Sequence, residues 1–260
     1  LFSQQNNQLW KGYFSYNEIV DVEGTTGKIF AATQNTIFSK TINSSELSIH
    51  NSVTGFKPEF ITAIHHSETT NKIFAGNTNG LLVIINSDGS VTAKVDIINE
   101  VPVAPNKKKI NDLFEHNGRL YIATDYGISV YNLERLEFGD TYYIGFGGLQ
   151  TKISQTTILD GWIYAASMDT TGIKRAPIDS ENLIDFNEWE QFRNGNQFSS
   201  IQAVGDQLFV TSAKRIFRAT PGGYSQLNLY SDIILDVKEY NGNLIVTTKS
   251  EVIIYDSETI

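Results

Sequence analysis

Short apolar runs separated by turn residues recur along this chain at a regular spacing. Each run has about four to six residues, is rich in β-branched and aromatic side chains, and is bounded by Gly, Asn or Asp, a pattern typical of β-strands. The helical spacing of apolar residues at i, i+3, i+4 and i+7 is not sustained in any stretch. The pattern therefore predicts an all-β chain.

The predicted strands group into six copies of one unit. The clearest copy runs from Ile110 through the turn Asn117-Gly118 to residues 120–124, and then to residues 128–131. The apolar residue that opens the second run of each copy marks the register, and these residues are Ile29, Ile73, Leu120, Ile163, Leu208 and Leu244. Their spacings of 44, 47, 43, 45 and 36 residues are typical of the four-stranded antiparallel blades of a β-propeller.

Turns and outer strands complete each predicted blade. Asn117-Gly118 and Asn241-Gly242 predict type I′ hairpin turns, because that turn needs a positive φ at both central positions. Small residues that follow the aromatic position within the second run, such as Ala123, suit the crowded space near a propeller axis. Looser segments between the units supply a fourth strand, at residues 47–50, 90–97, 141–144, 189–192 and 224–229.

The number of blades stays open between six and seven. Residues 8–14 resemble an outer strand and the last unit, which ends at residues 252–255, lacks one, so pairing these segments would close a ring of six. The alternative is seven blades, with the last incomplete at Ile260. We expect residues 8–260 to form one propeller domain. Residues 1–7 are expected to be a tail, either a signal-peptide remnant or a frayed terminus.

Composition excludes several classes of protein. The net charge of −9 argues against a nucleic-acid binder, which normally presents a basic field. The chain has no cysteine, so disulfides, thiol nucleophiles and Cys-based zinc sites are excluded. No apolar run approaches the roughly 18 residues of a membrane-spanning helix.

Residues capable of catalysis or metal binding do not form a recognisable motif. His65 and His66 are neighbours in a predicted strand, so their side chains point to opposite faces and cannot chelate one ion. Glu188 and Glu190 flank Trp189 and are expected on one face of an outer strand, as a solvated blade edge rather than a glycosidase pair. The sequence therefore predicts no catalytic residue, no metal site and no cofactor.

The run Lys107, Lys108 and Lys109 is the main cluster of like charge in this acidic chain. It follows the segment 101–106, which contains two prolines, in the longest interval between units. One interpretation is a contact for a phosphate or carboxylate on a glycolipid or partner, and the other is a solvated loop. The glycine-containing turns at 146–149 and 221–223 are too short for a phosphate-binding loop.

Three stretches carry a more specific similarity: residues 10–22, residues 106–111 and residues 121–142. They resemble the N-terminal propeller of the PorZ-type family of cell-surface proteins of the type IX secretion system. The resemblance covers the whole chain but only the first propeller of the family, whose members continue into a second propeller and a C-terminal β-sandwich. It implies seven blades and an N-terminal signal peptide.

The resemblance also implies a function without catalysis. Members belong to the attachment complex at the outer-membrane surface, where a sortase-like cysteine protease and an outer-membrane β-barrel are partners, and they help to bind or present anionic lipopolysaccharide to the sortase. Lys107, Lys108 and Lys109 are then the candidate binding residues. The alternative is an extracytoplasmic saccharide-sensing propeller of a two-component regulator. An enzyme is the third class, and it would need acids clustered at one mouth of the propeller.

Overall fold

The computed structural model describes residues 18–52, 55–56 and 59–256, which form six antiparallel sheets arranged as the blades of a β-propeller. Blade 1 contains β1 (Asp21–Gly24), β2 (Lys28–Ala32), β3 (Ile37–Thr41) and β4 (Leu47–His50). Blade 2 contains β5 (Ile61–Ser67), β6 (Lys72–Asn77), β7 (Leu82–Ile85) and β8 (Val91–Lys94). Blade 3 contains β9 (Ile110–His116), β10 (Arg119–Thr124), β11 (Ile128–Asn132) and β12 (Glu137–Tyr142).

The second half of the chain repeats the arrangement. Blade 4 contains β13 (Ile153–Leu159), β14 (Trp162–Ser167), β15 (Ile173–Pro177) and β16 (Glu190–Arg193). Blade 5 contains β17 (Ser200–Val204), β18 (Gln207–Ser212), β19 (Arg215–Thr220) and β20 (Gly223–Leu229). Blade 6 contains β21 (Ile234–Tyr240), β22 (Asn243–Thr248) and β23 (Val252–Tyr255). One short helix, α1 (Asp96–Asn99), and 3₁₀ turns at Pro105–Lys107, Phe146–Gly148 and Phe186–Glu188 lie in the connections.

Strands that follow one another in sequence are neighbours in each sheet. The first strand of each blade contacts the first strand of the next, from β1 through to β21, so the first strands line the propeller axis. We call the end at which these strands begin the upper end, and the opposite end the lower end. The six predicted units are confirmed, and each predicted outer strand overlaps one of β4, β8, β12, β16 and β20. Two bounds differ, since β12 begins four residues before the predicted 141 and β8 ends at Lys94 rather than at 97. The seventh blade stays a prediction, and the strand predicted at residues 8–14 lies outside the described residues.

The two predicted hairpin turns have the expected backbone. The φ angles are 46° and 71° at Asn117 and Gly118, and 51° and 79° at Asn241 and Gly242. Both positions of each turn are therefore left-handed, as a type I′ turn requires. Both turns join the first and second strands of a blade at the lower end.

The core lies between blades rather than in one central mass. Five clusters of buried apolar side chains fill the five junctions from blade 1 to blade 6. The predicted small residues near the axis are confirmed as buried, among them Ala75 and Ala123 on the second strands. Packing blades 2 to 5 against both of their neighbours removes both faces of each from water, which is the main stabilising contribution in such a fold.

The junction between blades 6 and 1 is built differently. At the axis Lys238 of β21 donates to Asp21 Oδ1 and to the carbonyl of Val22, both at 2.6 Å. Away from the axis a cavity of about 600 Å³ separates the two blades, and Val252 and Ile254 of β23 are exposed. An ion pair therefore joins these blades at the centre, while their apolar faces stay apart within the described part of the chain.

Candidate functional site

The three lysines of the predicted binding run have different environments. Lys108 is buried, and its Nζ donates to the carbonyls of Ile98 at 2.5 Å and Glu100 at 2.9 Å. Its ammonium group therefore holds the end of α1 and the following turn in place. Because these contacts occupy the ammonium group, Lys108 has a structural role in this conformation.

Lys109 and Lys107 lie closer to solvent. Lys109 is partly buried, and burial together with the nearby charge of Lys152 lowers the pKa of its ammonium group, although Asp125 raises it. Lys152 itself pairs with Asp125 at 3.3 Å. Lys107 is exposed at the end of the 3₁₀ turn Pro105–Lys107. Of the three lysines, it has the charge most available to a ligand.

Lys107 borders an open cavity of about 470 Å³ at the upper end. We call it the apical groove, and its lining residues are Pro102, Lys107, Tyr143, Gly148, Leu149 and Gln150. Gln150 Nε2 donates to the carbonyl of Pro102 at 2.9 Å, which ties the loop before blade 3 to the loop before blade 4. The groove therefore forms where two loops distant in sequence meet.

Large apolar side chains are exposed on the two loops that form the apical groove. Val101 is 93% exposed, Phe146 is 90% exposed and Leu149 is 67% exposed. Soluble domains rarely expose bulky apolar side chains side by side unless they contact a partner. The turn at 146–149 was expected to be too short for a phosphate-binding loop, and no signal in the sequence indicated that it would adjoin the lysine loop.

The axis carries polar residues that connect the blades. Near the upper ends of the first strands a side chain of one blade donates to a carbonyl of the next: Thr62 to Ile110 at 2.6 Å, Asn111 to Ile153 at 2.7 Å, and Ser154 to Phe198 at 2.8 Å. A cavity of about 140 Å³ lies among them. Asp112 lines it, and burial raises the pKa of its carboxyl group to about 7. Most of these polar groups hold blades together, so the axial cavity is a weaker binding candidate than the apical groove.

A charged triad lies lower on the axis and was not predicted. His65 Nδ1 is 3.1 Å from Glu23 Oε1, and His65 Nε2 is 3.1 Å from Glu115 Oε2. Burial lowers the pKa of His65, but the hydrogen bonds and charges of the two carboxylates raise it further, to about 9. We call these three residues the axial clamp. It links the first strands of blades 1, 2 and 3 through an imidazolium ion.

The axial clamp makes stability depend on pH. Because the pKa of His65 is about 9 in the folded chain and ordinarily 6.5, its contribution is complete below pH 6.5 and is lost as the pH rises to 9. We expect the free energy of unfolding in urea to fall by up to about 3 kcal/mol over this range. Asp112 acts in the same direction at lower pH. Burial favours its protonated form, so the free energy of unfolding falls as the pH rises from 3.8 to about 7. A free energy that stays constant from pH 6.5 to 9 would contradict the assignment.

The other histidine and carboxylate expectations have mixed outcomes. His65 and His66 point to opposite sides as predicted, since His66 stacks on Phe30 with ring centroids 5.3 Å apart. The prediction that one strand carries both Glu188 and Glu190 is wrong. Glu188 ends a 3₁₀ turn, and β16 begins at Glu190. Trp189 is buried because it packs in the core between blades 3 and 4.

Within the described residues, no group of three or more His, Asp or Glu side chains could hold a metal ion. No described helix is long and apolar enough to cross a bilayer.

A profile of the N-terminal β-propeller domain of PorZ, a type IX secretion system protein, matches residues 29–190, which is more than half of the chain. None of the curated proteins matches.

Among the solved structures that are similar in fold, two illustrate the range of proteins that share it. PorZ of Porphyromonas gingivalis, described as an essential bacterial surface component of the type IX secretion system, has a TM-score of 0.77 at 17% identity. The match covers 93% of this chain and 32% of that one, so this chain spans about a third of that protein's length. The extracellular domain ascribed to a hybrid two-component system of B. thetaiotaomicron has a TM-score of 0.68 at 12% identity, covering 94% and 34%. At these identities the likeness concerns the fold alone.

Proposed function

Because this chain belongs to the family of PorZ N-terminal β-propeller domains, we propose that it is a non-enzymatic part of a type IX secretion system at the cell surface. In this proposal the protein is exported by a signal peptide and is associated with the outer membrane. It helps to bind or present anionic lipopolysaccharide to a sortase-like cysteine protease that processes and anchors secreted proteins, with an outer-membrane β-barrel as a further partner.

The observation that carries the proposal, beside the family match, is the composition of the apical groove. A lipopolysaccharide combines anionic groups with acyl chains, so a surface that recognises it needs positive charge beside apolar area. Lys107 supplies the charge and Leu149 an exposed apolar side chain of the lining. Val101 and Phe146 are exposed on the same two loops. The net charge of the protein is −9, so the chain as a whole repels anions. Lys107 gives the groove a local positive charge.

Reversing the charge of Lys107 tests the groove. We expect Lys107→Glu to weaken binding to purified anionic lipopolysaccharide by roughly tenfold at low ionic strength, since an attraction is replaced by a repulsion. The measurement is surface plasmon resonance on immobilised lipopolysaccharide at two salt concentrations. Lys249→Glu is the matched control, because Lys249 is exposed on blade 6 at the same end. Lys108 is unsuitable for this test because its substitution would disturb the loop itself. Equal binding by Lys107→Glu and the control would remove the groove from the proposal.

The cellular role is tested with the full-length protein. We expect affinity capture from outer-membrane extract, followed by mass spectrometry, to recover the sortase, its β-barrel partner and lipopolysaccharide. A preparation that lacks all three would contradict the secretion role. The fold likeness to the extracellular domain of a two-component system makes a saccharide sensor the second candidate. If the capture recovers none of the three, a binding screen against glycans tests this candidate.

A further inference from the structure

The first strand of each blade places one residue at the same level of the propeller axis. This residue pairs with the second-strand residue that lies three positions after the register marker, as Ala123 lies after Leu120. We call this set the axial ring, and its members are Asp21, Ala63, Asp112, Gln155, Ser200 and Asp236. All of them except Ala63 line the axial cavity. The cavity is therefore bounded by polar side chains from five blades.

Two members of the axial ring join neighbouring blades. Asp21 Oδ2 accepts a hydrogen bond from the backbone N–H of Ile64 at 2.7 Å, and Gln155 Oε1 accepts one from the backbone N–H of Ile201 at 2.8 Å. In each case the donor belongs to the first strand of the following blade. These contacts hold both side chains at the axis, in the wall of the axial cavity.

Two carboxylates of the axial ring have no such contact. The carboxyl group of Asp112 forms no hydrogen bond or ion pair with any described residue. Asp236 Oδ1 accepts only from the backbone N–H of its neighbour Val237, at 2.8 Å. Burial raises the pKa of both carboxyl groups, to about 7 for Asp112, although the charge of Lys238 lowers it. The cavity wall therefore holds two acids that are shielded from water and have acceptor oxygens to spare.

The cations whose charges reach Asp112 are Lys238 and His65, and other carboxylates already neutralise them. Lys238 Nζ lies 2.6 Å from Asp21 Oδ1 and 3.7 Å from Glu23 Oε2. His65 lies between the two carboxylates of the axial clamp. Buried carboxylates are normally paired with a cation or a hydrogen-bond donor. The axial cavity therefore lacks a positive charge.

A buried amide group in the same wall also lacks a partner. Gln155 is only 9% exposed, and its Nε2 donates to no described residue. Buried amide nitrogens normally donate a hydrogen bond. Gln155 occupies the same ring level as Asp112, on the first strand of the following blade. The wall therefore offers one free donor in addition to the two carboxylates.

This set of groups matches a small ligand that carries an ammonium group and hydroxyl groups. An ammonium group donates to carboxylates in charge-assisted hydrogen bonds, and a hydroxyl oxygen accepts from an amide. The volume of about 140 Å³ has room for about six heavy atoms, since an apolar cavity of about 150 Å³ holds benzene. The carboxylates repel phosphate groups. No group of three or more His, Asp or Glu among the described residues could hold a metal ion, so an organic cation fits better than a metal.

We propose that the axial cavity binds a small amino alcohol. Its ammonium group pairs with Asp112 and Asp236, and its hydroxyl oxygen accepts a hydrogen bond from Gln155 Nε2. The site goes beyond the proposed function, because the axial cavity shares no lining residue with the apical groove.

The test is a chemical-shift titration of the full chain at pH 8, where most Asp112 carboxyl groups are ionised. The probes are serinol, glycerol and isopropylamine. Glycerol replaces the ammonium group of serinol with a hydroxyl group, and isopropylamine keeps the ammonium group but has no hydroxyl group. We expect serinol to shift the side-chain amide resonances of Gln155 saturably, isopropylamine to bind several-fold more weakly, and glycerol to leave them unchanged. Absence of a saturable shift with serinol, or equal binding by either comparison compound, overturns the proposal.

Variants locate the binding to the axial ring. We expect Asp112→Asn and Asp236→Asn each to weaken serinol binding by roughly tenfold or more, the usual effect of losing a charge-assisted hydrogen bond. Both should stay folded in urea unfolding at pH 8, because each removes a buried charge and keeps the shape of the side chain.

Asp140→Asn is the matched control, since it removes the same charge from the exposed outer strand β12 of blade 3. It should bind serinol as the unaltered chain does. If either ring variant binds normally, or if the control weakens binding equally, the assignment is wrong. Failure here leaves the secretion role untouched, since that role is tested through Lys107.

Discussion

Replacing His65 with glutamine is expected to lower the free energy of unfolding by about 3 kcal/mol, the usual cost of removing one partner from a buried ion pair. His65, Glu23 and Glu115 have side chains only 17%, 21% and 14% exposed, so solvent screens their charges weakly. Without the imidazolium ion two carboxylates face each other between blades 1 and 3. Lys238, at 3.7 Å from Glu23, neutralises only one of them.

Urea unfolding at pH 6.5 measures this effect, because His65 is fully protonated there in the folded chain. His66→Gln is the matched control, since His66 is the next residue but stacks on Phe30 outside the axial clamp. We expect the control to cost clearly less. The His65→Gln variant should also lose most of the decline in stability between pH 6.5 and 9. If the two variants are equally stable, the clamp contributes no more than ordinary packing.

Replacing Gly172 with alanine is expected to destabilise the chain by at least about 3 kcal/mol, from left-handed strain and overpacking together. Gly172 has a φ of +76°, and a Cβ there would lie 2.2 Å from the carbonyl oxygen of Arg193. That oxygen belongs to the backbone at the end of β16, so a side-chain rotation cannot relieve the contact. The outer strand of blade 4 would have to shift.

Gly161→Ala separates the two contributions. Gly161 has the same φ of +76°, but a Cβ there has nothing within 4 Å. We therefore expect about 1 kcal/mol for Gly161→Ala, from the backbone conformation alone. The difference between the two variants in thermal or urea unfolding measures the clash with Arg193. If both cost the same, the close approach of the two segments is not present in solution.

Local pattern was sufficient for the architecture of this protein. Strand alternation, the recurrence of the unit and the Asn-Gly turns depend on residues close together in sequence, and they predicted the blades correctly. The position of β4 at 47–50 and the left-handed turn at Asn117 illustrate this. The blade closure at residues 8–14 lies outside the described residues and stays a prediction.

Contacts between distant segments could not be predicted in the same way. Lys107, Lys108 and Lys109 are adjacent and chemically alike, yet only the fold determines that Lys108 is buried beneath α1 while Lys107 borders the apical groove. The role of His65 could not be predicted from local pattern, because its partners, Glu23 and Glu115, lie about forty and fifty residues away in sequence. The sequence by itself determined an acidic, cysteine-free β-propeller, since those properties follow from composition and short-range periodicity. The tertiary structure alone decided which charges meet, because strands of successive blades come together around an axis that no local pattern specifies.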